Sequence, residues 1–198
     1  TGGMGAYSPA KIITKDLEKK IVKKIVSPTL KALKQKKKNY TGFLYVGLMI
    51  VNKEPYLIEY NVRMGDPECQ TILPLLKTDL LRIINNTCNQ NLKKTKIEWF
   101  KKKSICIVLS SKGYPKNFKK NILIKNLGNL KIKKNSYVFH AGTKMINNKF
   151  YSVGGRVLNF VSISSNLKKA RKISIDLIKK LNWKNGFFRK DIGHKIIN

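Results

Sequence analysis

The chain has 198 residues, 42% of them hydrophobic, enough to bury a core in one large or two small domains. Its 42 Lys and Arg stand against 10 Asp and Glu, a net charge of +32. The Lys residues are spread over almost every segment, Arg is scarce beside them, and no zinc-finger, aromatic-stacking or basic-zipper pattern accompanies them. The charge therefore reads as solvated Lys in a Lys-, Ile- and Asn-rich chain, the bias that A- and T-rich codons give, rather than as a specific nucleic-acid surface. The longest apolar run, FLYVGLMIV, is far short of a membrane span. The 3 cysteines show no CxxC spacing, so they indicate neither a disulfide framework nor a zinc site and fit a reduced, cytoplasmic protein.

The chain opens at Thr1 on TGGMGA, and an N-terminal part ahead of it is expected. Leu17, Ile21, Ile25, Leu30 and Leu33 then recur at helical spacing, with Thr14 or Asp16 as cap and a break or kink at Pro28. TGFLYVGLMIV reads as a buried strand, NKEP as a turn and YLIEYNV as the second strand of a hairpin. PECQTILPLLKTDLLRIINNTC reads as one or two helices, broken before Pro74. A polar stretch, residues 89–103, connects this part to one richer in strands: SICIVLSS, SYVFHAGTK and KFYSVGGRVLNFVSISS. An amphipathic helix follows, capped by Asn166, with Leu167, Ala170, Ile173 or Ser174, Leu177, Ile178 and Leu181 on its buried face. The tail FFRKDIGHKIIN has no clear period, and a domain boundary is expected near residue 95.

The stretch IEYNVRMGDPECQ carries the most chemistry. Residues two apart on a strand share a face, so Glu59, Asn61 and Arg63 point one way while Ile58, Tyr60 and Val62 turn into packing. A carboxylate and an amide oxygen suit Mg²⁺ or Mn²⁺, and a guanidinium beside them can fork onto a phosphate. That set suits phosphoryl transfer; an ordinary Glu–Arg pair on an exposed strand is the plain alternative. Gly65 permits a sharp turn, after which Asp66 sits as an N-cap and Pro67 at the first helical position. The same helix start is placed to face an anion, and Glu68 to accept from a substrate amine or to complement the helix dipole.

The E-x-N-x-R pattern resembles the metal-and-phosphate motif of ATP-grasp ligases. TGGMGAYSPA, YTGFLYVGLMI, IEYNVRMGDPE, VFHAGT, GGRVL and RKDIG, in this order from Thr1 almost to the last residue, resemble the glycinamide ribonucleotide synthetase family (phosphoribosylamine–glycine ligases). Where that family usually reads FGDPETQ, this chain has MGDPECQ; Met64 and Cys69 leave the polar set intact. The resemblance implies an α+β fold: the C-terminal part of an ATP-grasp domain, antiparallel sheet with helices, over 1–95, and a small β-rich C-terminal domain over 96–198. It implies a ligase of de novo purine (IMP) biosynthesis. ATP phosphorylates glycine to a glycyl phosphate, and 5-phosphoribosylamine displaces the phosphate. Glu59 and Asn61 would bind the Mg²⁺ or Mn²⁺ that bridges ATP phosphates, and Arg63 would steady the transferring group. Gly2 and Gly3, with Gly5, would lie beside the substrates.

Asp66 and Glu68 would face substrate, and Arg156 would bind the ribose 5-phosphate, against the alternative of a salt bridge at a domain interface. His140 is either a substrate contact or a hydrogen-bonded structural residue. The family's ATP-holding N-terminal half is absent from the sequence, so this chain alone is expected to be an inactive fragment. Two other readings stand beside this one: another ATP-grasp carboxylate–amine ligase, against which GGRVL and RKDIG argue, and a basic nucleic-acid-binding module. No specific nucleic acid and no membrane is expected as partner.

Overall fold

The structure is a computed structural model that describes residues 3–197. In chain order it contains β1 (Gly5–Ser8), α1 (Lys15–Ile21), α2 (Ser27–Gln35), β2 (Tyr45–Val51), β3 (Glu54–Asn61), α3 (Glu68–Ile72) and α4 (Leu80–Cys88). There follow β4 (Lys103–Ser111), β5 (Ile122–Leu123), β6 (Ser136–His140), β7 (Thr143–Ile146), β8 (Lys149–Ser152), β9 (Arg156–Ser164), α5 (Leu167–Leu181), β10 (Gly186–Phe187) and α6 (His194–Ile197). These elements form two compact units. One comprises Ala10–Gly65 and Leu76–Trp99; the other takes the residues through Pro9, Asp66–Leu75 and the chain from Phe100 onward. The chain passes between the units after Pro9, Gly65, Leu75 and Trp99. The two short segments that cross over, through Pro9 and Asp66–Leu75, are drawn to the strands that follow Phe100.

In the first unit, Thr14 caps α1 by accepting from the Leu17 amide at 3.2 Å. The helix does not break at Pro28. A π-helical stretch, Val22–Val26, joins α1 to α2, and Pro28 follows it within the continuous helix. Leu17 and Ile25 are buried, whereas Leu30 is exposed. The helix lies on the hairpin of β2 and β3: Lys24 pairs with Glu54 at 2.9 Å, Lys20 meets the same carboxylate, and Tyr60 bonds Thr29. Asn52 and Lys53 close the hairpin with φ of 50° and 62°, the two left-handed residues that a tight turn between twisted strands requires.

The hairpin corrects one expectation. Ile58 and Val62 do not turn into packing; they are 63% and 76% exposed. Alternation holds only along a regular ladder. Gly47 pairs with Glu59 and Leu48 with Leu57, so Ile58 is the extra residue of a bulge, and Val62 lies past the last pair, Tyr45 with Asn61.

In the second unit the main sheet runs β1-β4-β9-β6, with β10 also on β4, all antiparallel. Ile105, Ile107, Leu158 and Phe160 face α5 and its Leu167, Ala170, Leu177 and Leu181. Asn166 caps this helix by accepting from the Lys168 and Lys169 amides at 2.7 and 3.3 Å, and Asn182, at φ 48°, ends it. Where helix meets sheet, Ser174 donates to Ser162 at 2.9 Å and Ser162 to Ser136 at 3.4 Å, all three buried. A smaller sheet, β5-β8-β7, is tied to the end of α5 by Trp183 Nε1 donating to the Leu123 carbonyl at 3.0 Å.

The tail is held from α5. Arg171 donates to the Ile192 carbonyl at 2.9 Å and to that of Lys190. Within RKDIG, Arg189 forks onto Asp191, with Nε to Oδ1 at 2.9 Å. This bonding draws Asp191 down from 3.8 to about 2. A carboxylate whose folded value lies below its unfolded one adds stability above the unfolded value and loses it as pH falls through the folded one. Asp191→Asn should therefore lower the melting temperature at pH 7, and the gap to wild type should close between pH 4 and 2. Thermal melts across that range measure it; a gap that persists at low pH would assign the effect to packing.

Candidate metal and phosphate site

Glu59 and Asn61 share one face of β3, and the bond from Asn61 Nδ2 to Glu59 Oε1 is 3.0 Å. That bond occupies the amide nitrogen and leaves Oδ1 as the Asn61 atom suited to a cation. Most other acids of this acid-poor chain are committed. Glu54 meets Lys20 and Lys24, Glu98 meets Lys77 and Lys96, Asp66 meets Arg156, Asp191 meets Arg189, and Asp79 caps α4 by accepting from the Arg82 amide. Glu59 has no such cation among the described residues, in a chain of net charge +32. The oxygens fit a hard divalent ion. No cluster of three or more His, Cys, Asp and Glu side chains is present among the described residues, and Mg²⁺ or Mn²⁺ takes few protein ligands, completing its shell with phosphate and water. Arg63 follows on the exposed strand end, with Nη1 on the Met64 carbonyl at 2.9 Å.

A second cluster lies in the other unit. Arg156 begins β9 and presents its end-on fork to Asp66: Nη1 to the carbonyl at 2.8 Å and Nη2 to Oδ2 at 2.8 Å. Nη1 also reaches the Gly3 carbonyl at 3.2 Å. Gly3 is needed for that approach, since a Cβ there would lie 2.6 Å from Pro67 Cδ. Arg156 is aimed by its surroundings. Ser110 pairs with Arg156 and Leu109 with Leu158, so Val157 is the extra residue of another bulge. Just before it, Gly155 lies against Tyr114, where a Cβ would come within 2.2 Å of the ring. Both charged strand residues of interest, Glu59 and Arg156, thus stand next to bulges, which re-aim side chains.

Asp66 does not cap the following helix. Its Oδ1 accepts from the Gln70 side chain at 2.9 Å, Arg156 takes Oδ2, and α3 starts after Pro67 with no side-chain cap. The helix spans 5 residues, too short for its first turn to act as the expected anion cradle. Glu68 is half-buried in its first turn. Burial and the nearby Asp66 raise the Cys69 thiol; burial, then Asp66 and Glu68, push that of Cys106 far up. Gly5 lies against β4, a Cβ there falling 2.8 Å from the Cys106 carbonyl. His140 bonds Thr143 at 2.8 Å and packs on Phe150. Gly2 lies outside the described residues.

Sequence reasoning passed over Gly47, opposite Glu59, although a glycine in mid-strand is itself a sign of close approach. It also passed over Arg171 and Tyr114, whose roles depend on contacts distant in the chain.

This α+β chain of antiparallel sheets and helices is an ATP-grasp protein: Glu59, Asn61 and Arg63 lie within residues that match an ATP-grasp domain. Its fold is similar to that of biotin carboxylase from Campylobacter jejuni (TM-score 0.58, 14% identity, covering 94% of this chain and 39% of that one). More specifically, residues 1–69 match the family model for the phosphoribosylglycinamide synthetase ATP-grasp (A) domain and residues 104–195 that for its C domain. The chain belongs to the phosphoribosylglycinamide synthetase family. It is similar to the crystal structure of phosphoribosylamine–glycine ligase from Thermotoga maritima, with TM-score 0.82 and 30% identity over 96% of this chain and 46% of that one. Phosphoribosylamine–glycine ligase of Fusobacterium nucleatum is 45% identical over 98% of this chain and 46% of its own length. The chloroplastic enzyme of Arabidopsis thaliana is 38% identical over 100% of this chain and 38% of its own. The chain thus spans about half the length of the curated relatives it matches. Among the described residues no helix is long and apolar enough to cross a membrane.

The Arg156 cluster predicts an energetic coupling. Arg156→Ala and Asp66→Ala should each destabilise the fold, and the double variant should lose less than their sum, by about 0.5–3 kcal/mol. Urea unfolding of the four proteins measures the cycle; strict additivity would mean that the pair is held by its neighbours and not by itself.

Proposed function

We propose that this chain supplies the metal-and-phosphate part of a phosphoribosylamine–glycine ligase of purine biosynthesis. The observation that carries the reading is the pairing of Glu59 with Asn61 on one strand face, without a cationic partner for the carboxylate. In the reaction, an oxygen of the glycine carboxylate takes the γ-phosphoryl group and ADP leaves. The nitrogen of 5-phosphoribosylamine then attacks the acyl carbon, phosphate departs and the amine loses a proton. A divalent ion held by Glu59 and Asn61, Mg²⁺ or Mn²⁺, would neutralise the ATP phosphates. Arg63 would fork onto the oxygens of the moving phosphoryl group.

Gly2 and Gly3 would line the substrates, with Asp66 and Glu68 toward the amine. Arg156 Nε donates to no described residue, which leaves its side-on fork for the ribose 5-phosphate. Residues 1–95 would form the end of the ATP-grasp domain and 96–198 the C-terminal domain, a division that the matches over 1–69 and 104–195 support. The remaining half of such an enzyme would hold ATP. A cytoplasmic, reducing setting fits the three free cysteines.

The test uses a full-length enzyme whose C-terminal half is this chain. Glu59→Gln should keep the fold and lower activity at limiting Mg²⁺ by at least roughly tenfold, the loss that even an outer partner of a metal ligand causes. Excess Mn²⁺ should restore part of it. Unchanged turnover at limiting metal would remove Glu59 from the ligands.

Arg156→Ala separates recognition from chemistry. Loss of a charge-assisted contact of about 1.5–3 kcal/mol should raise the KM for phosphoribosylamine roughly ten- to a hundredfold with kcat near normal. Normal kinetics with a lowered melting temperature would leave Arg156 as the partner of Asp66 alone.

A further inference from the structure

Gly47 stands in the middle of an apolar strand, LYVGLMIV, where its lack of a side chain weakens the strand and leaves a gap in the surface. Its cross-strand partner is Glu59, and Tyr45 stands opposite Asn61, two residues along on the same face. A Cβ built at Gly47 falls 3.0 Å from Glu59 Cγ, 3.5 Å from the Glu59 carbonyl oxygen and 3.5 Å from the Tyr45 ring. The Glu59 stem therefore lies in the space that a side chain at 47 would fill. The register shift of the hairpin falls between Gly47 and Leu48, so the same place in the ladder also carries the bulge at Ile58.

We infer that Gly47 is a positioning residue for Glu59. The notch lets the carboxylate stem fold across the neighbouring strand while the carboxylate meets Asn61 at 3.0 Å, and the bulge next to it sets the direction in which Glu59 leaves the strand. A Cβ at 47 makes the Glu59 stem give by a few tenths of an ångström, and a larger, branched side chain takes the space the stem lies in and draws the carboxylate from Asn61. A cross-strand pair is ordinarily filled by two side chains; here one is given up so that the other can lie flat. The functional meaning of this geometry rests on the metal reading above, but the geometry itself can be tested without metal.

The experiment is NMR on the 198-residue chain as wild type, Gly47→Ala and Gly47→Val. Val favours strands, so the ladder should survive, as the cross-strand amide shifts of β2 and β3 will show; Gly47→Ala decides if it does not. In the metal-free arm, wild type should give a contact between the Glu59 Hγ and Gly47 Hα protons. The Asn61 side-chain amide should shift alike in Glu59→Gln and Gly47→Val. Absence of the contact, or an Asn61 amide unmoved by Gly47→Val and Gly47→Ala, would overturn the inference. In the second arm Mn²⁺ is added. Glu59 and Asn61 signals should broaden selectively in wild type, and at a concentration at least roughly tenfold higher in Gly47→Val, with Gly47→Ala between. Equal broadening in all three would sink the positioning role. No selective broadening in wild type, with the metal-free contacts intact, would sink the metal reading and leave the geometry of Gly47 standing.

Discussion

The antiparallel ladder of β4 with β9 is the constraint on which the larger unit depends. Ile105 through Val108 and Val157, Leu158, Phe160 and Val161 are fully buried, so each strand is covered on both faces. One face takes α5. The other takes α3, with Cys106, Val108 and Val161 beneath it. Because both faces are covered, a one-residue slip would exchange two buried sets that do not match. The ladder therefore fixes where β9 begins. It places Arg156 where its fork meets Asp66 and Gly3, residues that the sequence keeps far apart.

Local chemistry was legible in the sequence where local chemistry decides. Asn166 and Thr14 cap their helices as read, and the buried face of α5 is the one its spacing predicts. The hairpin followed from its turn and its apolar runs. What failed depended on partners distant in the chain. Asp66 had every local mark of a cap, but Arg156 and Gln70 compete for its oxygens. Alternation placed Ile58 inside, but a bulge has no signature beyond the glycine opposite it. Pro28 was read as a break or a kink, and the helix does not break there: it runs on past Pro28, with a π-helical stretch just before it. Of the site, the closeness of Glu59 and Asn61 was legible from strand period, whereas Arg63 lies past the last pair of the ladder, where that period no longer holds. The notch at Gly47 was not legible, since it exists only once β2 and β3 are paired.

The charge also acquires a structural meaning. With 42 basic and 10 acidic residues, at least half of the carboxylates are held by cations or at a helix end, and surface pairs of this kind contribute little to stability individually. What they do is organise: Glu54 seats the helix on the hairpin, and Asp66 ties the turn before α3 to the start of β9. Lys would not serve in place of Arg156, because a point charge cannot grip a carbonyl and a carboxylate in one plane.

The three serines between α5 and the sheet have a further consequence. An apolar interface alone permits a helix to creep along the sheet, since one methyl group replaces another at small cost. Ser174, Ser162 and Ser136 do not allow this. Moving α5 by one turn, about 5.4 Å, would strand buried hydroxyls among hydrocarbon, where an unmade bond costs about 1–3 kcal/mol. The serines act as a detent: they add little to the strength of the contact but leave the helix one resting place on it.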